Sequence, residues 1–436
     1  MQNLAVFWFR RDLRLHDNAG LYLALSSGSP VLPIFIFDST ILNDLQDKDD
    51  RRVSFIYAAL TNLQKQLVQV GSTLDVRYGN PIEIFSKLVQ EYSITSIYTN
   101  HDYEPYARKR DEQIQQLVQQ KGISFYSFKD QVIFEKSEVV KDDGEPYMVY
   151  TPYSKKWRSL LTEEKFTSYE TKNLLQHCYK QNPLPLISLK EMGFIFNEDI
   201  PLLKDADETI IQHYDQTRDI PGVHGTSRLG IHLRFGTISI RQLVQKALRL
   251  NDAFLRELIW REFFMQLLWH QPRVVNEACK KEYDAIQWRN NKQEFERWCN
   301  GETGVPIVDA GMRELNETGF MHNRVRMIVG SFLVKNLLID WRWGEAYFAR
   351  KLLDFELASN NGNWQWVAGC GCDAAPYFRI FNPDAQTKKF DPEFKYIKRW
   401  VPEWESLTYP KPIVDQQYAR DRCLKAYKKA LGKELA

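Results

Sequence analysis

No run of about 18 apolar residues occurs in this chain, so no membrane-spanning helix is expected. The first residues, Met1-Gln2-Asn3-Leu4-Ala5-Val6, lack the basic-then-apolar layout of a secretory signal, and a cytoplasmic location is expected. Histidines number only 8, and neither an HExxH motif nor a Cys/His cluster is present, so no metal site is expected. The six cysteines, Cys178, Cys279, Cys299, Cys370, Cys372 and Cys423, form no CxxC pair. Only Cys370 and Cys372 are close, too near in sequence for an easy bridge, which predicts free thiols in a reducing compartment. An excess of one charge is also missing, with 58 Lys+Arg against 56 Asp+Glu. The distribution is less even: from Phe378 to the end, 13 basic residues face 8 acidic ones. That stretch suits phosphates, or equally a solvated helical tail around Lys425, Lys428 and Lys429.

What is present is length, aromatic rings and a change of pattern along the chain. At roughly 150 residues per domain, 436 residues suggest two or three domains. Aromatic residues reach 13%, with 12 tryptophans. Over residues 1–130, β-prone runs (Leu4 to Phe9, Val31 to Phe37, Leu74 to Tyr78, Ile94 to Thr99, Ile123 to Phe128) alternate with helical patterns. This alternation predicts an α/β domain built on a doubly wound parallel sheet. No GxGxxG follows its first strand, so a dinucleotide bound there in the usual manner is not supported. Residues 131–204, with breaks at Asp142-Asp143-Gly144-Glu145-Pro146 and Pro183-Leu184-Pro185, read as a connector. Helical periodicity then dominates residues 205–436, predicting a large all-α domain.

Three segments of the helical part carry unusual chemistry. On a helix from Ala253 to His270, Glu257, Trp260, Phe264 and Leu267 share a face. An unpaired buried Glu there would cost several kcal/mol, so it is either functional or paired, for example with Arg261 at i+4. A second helix, Asn323 to Asp340, aligns Asn323, Arg326, Met327 and Gly330, which suits a polar ring edge or ordinary packing behind a cap. In the third, Asp354 to Phe381, Asn360-Asn361-Gly362 reads as a turn beside Trp364-Gln365-Trp366. Acids, amides and two tryptophans so close fit a flat, hydrogen-bonding ring system, or a loop with core tryptophans. Thr226-Ser227-Arg228-Leu229-Gly230 offers hydroxyls, a guanidinium and a glycine suited to a phosphate.

Together these segments resemble the photolyase/cryptochrome family, and most closely its class I cyclobutane-dimer photolyases. The resemblance runs from Phe7-Trp8-Phe9-Arg10-Arg11-Asp12-Leu13-Arg14 to Trp400-Val401-Pro402-Glu403, and is strongest in VDAGMREL, MHNRVRM, LLIDWR, NNGNWQW and DAAPYFRIFNP. It implies FAD, reduced and anionic in the active form, held in the helical domain, and light-driven repair of cyclobutane pyrimidine dimers in UV-damaged DNA by a monomer. Position by position, it implies that Tyr214, Thr226, Ser227, Arg228, Leu229 and Gly230 hold the phosphate region. Arg326 and Asp354 would form an ion pair beside the flavin, with Phe355 and Glu356 adjoining and Asn360 facing the flavin N5. Glu257, Trp260, Asn323, Met327 and Trp366 would form the lesion pocket. Arg324, Arg379, Gln386 and Lys389 would contact the strand near the lesion, and Trp288, Trp341 and Trp364 would form an electron chain.

Two positions depart from the pattern. Asp354-Phe355-Glu356 stands where well-known members have Asp-x-Asp. Tyr106-Ala107 stands where folate-binding members carry other residues, leaving a second, antenna chromophore open between a deazaflavin, another flavin and none. Asn323 and Met327 replace the histidines of (6-4) photolyases. A non-repairing cryptochrome photoreceptor is the rival reading; Glu257 and Trp260, both present, favour repair.

Overall fold

The computed structural model describes residues 2–201 and 205–432. The boundary expected at Lys204 lies outside them, as does the terminal 433–436. The chain divides into two compact units whose segments interleave.

The first unit comprises residues up to Glu135, 160–206 and 229–249. Its centre is a parallel five-stranded sheet of β1 (Leu4–Phe9), β2 (Val31–Asp38), β3 (Asp75–Gly79), β4 (Ile94–Asn100) and β5 (Ser124–Phe128). The strand order is β3-β2-β1-β4-β5. Every residue of β1 and β2 is buried, which accounts for their unbroken apolar runs: a parallel sheet covered on both faces needs no polar alternation. Helices α1 (Ala19–Leu25), α2 (Arg51–Gln69), α3 (Pro81–Glu91) and α4 (Pro105–Gln119) follow the strands. The Asn18, Asp50 and Asn80 side chains cap the first three, each accepting a hydrogen bond from the opening turn. A buried charge cluster ties the separate segments of this unit together. Asp130 accepts from Arg14 and Arg241, both at 2.7 Å, and Asp17 accepts from Arg241 Nε at 2.8 Å.

The second unit comprises residues 136–159, 207–228 and 250 onward, and no strand occurs among its described residues. The stretch expected as a connector is thus shared, 136–159 belonging to the helical unit and 160–206 to the sheet unit. The helices of this unit include α5 (Asp252–His270), α6 (Asn323–Ser331), α7 (Trp341–Lys351) and α8 (Leu357–Ala368).

The structure corrects three expectations from the sequence. The helix expected to reach Asp340 stops earlier: α6 passes into a single π-helical turn, Phe332–Asn336, and Leu338 adopts a positive φ of 54° before Asp340 caps α7. The turn read at Asn360-Asn361-Gly362 is the middle of α8. Gly362 is there for contact, since a Cβ would fall within the ring of Phe264 on α5. Finally, Cys279 and Cys372 form a disulfide with Cα atoms 5.5 Å apart. Their separation of 93 residues hid the pairing, which no local spacing reveals. The other four thiols are free and buried, and burial raises them, Cys178 to about 12 and Cys423 to about 11. Among the described residues, no helix is long and apolar enough to cross a membrane, and no group of three His, Cys, Asp or Glu is placed to hold a metal.

Candidate active site

Helices α5, α6 and α8, with the Asp354–Glu356 segment before α8, enclose a cavity of about 340 Å³, within the usual range for ligand pockets. Each helix is placed by its start. Asn251 caps α5 by accepting from the Ala253 and Phe254 amides. His322 caps α6 through Nδ1, which accepts from the Arg324 amide at 3.2 Å. The Glu356 carbonyl accepts the Asn360 amide in the first turn of α8.

Glu257, Trp260, Asn323, Met327 and Trp366 all line this cavity, as do Arg326, Asp354, Phe355, Glu356, Asn360 and Trp364. The two sets expected to serve lesion and flavin therefore share one space. Arg326 donates to both carboxylate oxygens of Asp354, at 2.9 and 3.2 Å, and its Nε is fixed on the Met321 carbonyl at 2.7 Å.

Glu257 does not pair with Arg261, as i+4 spacing allows. Its partner is Arg218, 2.5 Å away and also on the cavity wall. Arg261 turns instead to Glu356 at 3.3 Å. Burial raises the Glu257 pKa, and Arg218 opposes that rise. The carboxylate is thus desolvated but has one guanidinium to hold it.

Three other contributors are not legible in the sequence. Tyr150, in the 136–159 segment, lies face to face with Trp260, ring centroids 3.6 Å apart and planes 5° apart. The Tyr150 hydroxyl donates to the Arg256 carbonyl at 3.1 Å, and its amide donates to Asp373 at 2.9 Å. Arg218 arrives from residues far from α5. Glu345, on α7, accepts from Asn360 Nδ2 through its carboxyl at 2.8 Å and through its backbone carbonyl at 3.1 Å.

Trp364 stands between two helices at positions where glycine leaves room. A Cβ on Gly344 of α7 would overlap its ring, and one on Gly330 of α6 would touch it at 3.6 Å. Its aromatic neighbours are Phe348 at 5.0 Å and Trp298 at 6.3 Å. Among the described residues no ring contact joins Trp364 to Trp341 or Trp341 to Trp288. Trp341 opens α7 with Arg342 over its ring, and Trp288 is half-buried against Tyr427 at 6.0 Å.

The remaining expected residues lie off the cavity wall. Tyr214 packs edge-on against Phe254 with Arg218 over its ring. Thr226, Ser227 and Arg228 belong to the helical unit, with Arg228 exposed over Phe320, while Leu229 and Gly230 belong to the sheet unit. Arg324 pairs with Asp219 at 2.6 Å and lies over the Phe390 ring, which Lys389 also approaches. Lys389 and Arg379 are exposed, and Gln386 is half-buried.

Comparison with known proteins divides the chain in a similar way. Residues 5–171 match the family model described as DNA photolyase, and residues 254–408 match that described as the FAD binding domain of DNA photolyase. A deoxyribodipyrimidine photo-lyase of Halobacterium salinarum is 36% identical over 99% of this chain and 100% of its own length. A bacterial class III photolyase from Agrobacterium tumefaciens superposes with a TM-score of 0.87 at 33% identity, covering 99% of this chain and 98% of the other. An archaeal photolyase from Sulfolobus tokodaii, described with two FAD molecules, gives a TM-score of 0.80 at 36% identity over 98% and 100% of the two chains.

Proposed function

This chain belongs to the DNA photolyase family, and from that premise we propose that it repairs cyclobutane pyrimidine dimers in UV-damaged DNA, using FAD and blue light. The observation that carries the reading is the shared cavity, where a carboxylate and two tryptophans face the same space as an ion pair and an amide.

The residues present fit a flavin. Phe264, Met327, Phe348, Phe355 and Trp364 give the cavity apolar and aromatic wall for a flat ring. The Arg326–Asp354 pair and Asn360 supply donors and an acceptor for its polar edge. Tyr214, Thr226, Ser227, Arg228, Leu229 and Gly230 would hold the phosphates, and Glu356, fixed by Arg261, would border the ring. When bound, the cofactor supplies light absorption and a returnable electron, which splits the cyclobutane ring.

The protein's own part is binding, orientation and exclusion of water. A dimer extruded from the helix costs less to unpair than intact bases, a strategy for which the handling of damaged DNA by photolyases is the standard example. Trp260 and Trp366 would stack on the extruded dimer, and Glu257 would accept from a thymine N–H. Arg218 pairs with Glu257 on the cavity wall and opposes the rise in its pKa that burial causes. Asn323 and Met327 complete the pocket, while Arg324, Arg379, Gln386 and Lys389 meet the flanking phosphates. Trp364, with Trp341 and Trp288, would return electrons to oxidised flavin. On this reading the protein acts as a monomer in the cytoplasm. A second chromophore, as in the Sulfolobus tokodaii structure with its two FAD molecules, would serve as antenna.

The test is repair itself. Purified protein with reduced FAD is mixed with UV-irradiated oligothymidine, and thymine absorbance is followed under blue light and in the dark. Light-dependent recovery is expected; no recovery with FAD bound and reduced overturns the assignment.

A further inference from the structure

We infer that Glu345 is a positioning residue that fixes the side-chain amide of Asn360, so that its Oδ1 and not its Nδ2 is presented to the flavin edge. The inference rests on the proposed flavin site and goes beyond it to a residue on a different helix.

An asparagine side chain offers one acceptor and two donors, and the two ends differ little in shape, so neighbours must choose between them. At Asn360 two acceptors of Glu345 bias the choice, and the nearer belongs to the side chain. The backbone carbonyl of Glu345 has no proton to give, and it lies 3.1 Å from the Asn360 amide end. It favours nitrogen there, through the longer of the two contacts. The Glu345 carboxyl, 2.8 Å from the same nitrogen, adds a second acceptor. With Nδ2 engaged in this way, Oδ1 is left without a protein partner among the described residues, on a side chain that lines the cavity.

Glu345 is otherwise ill-suited to its place. Burial pushes its pKa above the ordinary glutamate value, and the one contribution opposing the rise is the hydrogen bond from Asn360. Among the described residues no arginine or lysine compensates it, unlike Glu257 with Arg218 or Glu356 with Arg261. A desolvated carboxyl whose single compensating contact is an amide of the candidate site is more costly than an apolar residue would be there.

The chemical consequence comes from what a flavin carries at N5. Reduced flavin bears a hydrogen there and needs an acceptor opposite it. Oxidised flavin has a lone pair, which a carbonyl oxygen repels and an NH2 group would attract. An amide locked with Oδ1 outward therefore favours the reduced form that dimer repair uses. Loss of the carboxyl leaves the longer backbone contact alone, weakens the lock and shifts the balance toward the oxidised form.

The experiment uses the full chain and reads the flavin, not repair. FAD uptake by the wild-type apoprotein is measured first, by quenching of flavin fluorescence. The ratio of reduced to oxidised flavin is then read from visible absorbance at a fixed potential set by a redox dye. Glu345→Ala keeps the backbone carbonyl but loses the nearer acceptor, so it should bind FAD and shift the ratio roughly three- to tenfold toward oxidised flavin, the scale of one lost hydrogen bond. Glu345→Gln, which keeps an acceptor oxygen of the same reach, should hold the wild-type ratio. Glu345→Asp, one methylene shorter, should behave as the alanine variant, and it replaces that variant should alanine not fold. An unchanged ratio in the alanine and aspartate variants overturns the inference, as does a glutamine variant that tracks alanine. Failure of the wild type to bind FAD would instead overturn the flavin reading beneath it.

Discussion

Replacement of Trp260 by alanine should weaken binding to damaged DNA far more than binding to intact DNA. Tyr150 stacks on the Trp260 indole at 3.6 Å and Phe264 lies 5.5 Å away, so an incoming base meets only the part of the ring that lines the cavity. Base–aromatic stacking is worth about 1–3 kcal/mol per base, which converts to a loss of roughly 5- to 150-fold in affinity. Intact DNA reaches no cavity residue and is held through phosphates, so its affinity should change by less than about twofold. The variant also loses the stack on Tyr150, at a cost to folding of about 0.5–1.5 kcal/mol, which thermal unfolding will register separately. The assay is a fluorescence-anisotropy titration of one labelled oligothymidine, irradiated or not, at a single salt concentration. Trp260→Phe, which keeps a stacking ring, should recover most of the lost affinity. Equal losses on damaged and intact DNA would refute the reasoning, because they would place Trp260 at the backbone and not at the base.

Lys389→Ala or Arg379→Ala should weaken damaged and intact DNA alike and lower the salt slope by about one counterion each; an unchanged slope removes that residue from the phosphate contacts. Trp364→Phe should slow photoreduction of oxidised flavin yet retain repair once the flavin is reduced chemically, and unaltered photoreduction kinetics would take Trp364 out of the electron path. Gly344→Ala, whose added methyl overlaps the Trp364 ring, should destabilise the protein by about 1–3 kcal/mol, and an unshifted unfolding midpoint would show that the two helices part without cost. Lys335, fully buried in the π-helical turn and bonded to the Ala368 carbonyl, has its pKa lowered by burial from 10.5 to about 8. The folded state then holds this proton less tightly than the unfolded chain. Its burial penalty is full below pH 8 and is relieved as pH rises toward 10.5, worth about 3 kcal/mol at most. Stability of the wild type relative to Lys335→Met should accordingly rise between about pH 8 and about pH 10.5, and parallel profiles would refute the assignment.

How far the sequence could be read depended on the distance over which its information acts. The strands were legible because a buried parallel strand is a local apolar run, and Leu4–Phe9 matches its expected bounds. The grouping of Glu257 with Trp260, and of Asn323 with Met327, was legible because helical spacing puts such residues on one face. Partners were not. Glu257 chose Arg218, 39 positions away, over Arg261 within its own helix, and nothing local to α5 signals that choice. Tyr150 lay in a stretch that lacked periodicity and so read as a connector, although it supplies the flat support behind Trp260. Asn360-Asn361-Gly362 has the composition of a turn, but composition does not distinguish a glycine that bends the chain from one that admits a neighbouring ring. Tertiary packing against Phe264 decided for the second. The disulfide was missed for the same reason as the ion pairs, its two cysteines being joined by the fold and not by spacing.

The interleaving of the two units bears on how this chain can be made. As it leaves the ribosome, residues 136–159 of the helical unit appear before residues 229–249, which the sheet unit requires. Asp17 and Asp130 are buried carboxylates; Asp130 also has Arg14, but the guanidinium partner of Asp17 is Arg241, translated 224 residues later. Until Arg241 emerges, closing the sheet unit would strand Asp17 without its ion pair, at a cost of several kcal/mol. The nascent sheet must then wait, open or incompletely packed, for a late segment. A gene fragment ended just past the strands would therefore express a sheet whose buried Asp17 lacks its ion pair, and the two halves of this protein are better regarded as co-dependent products of one synthesis than as separable modules.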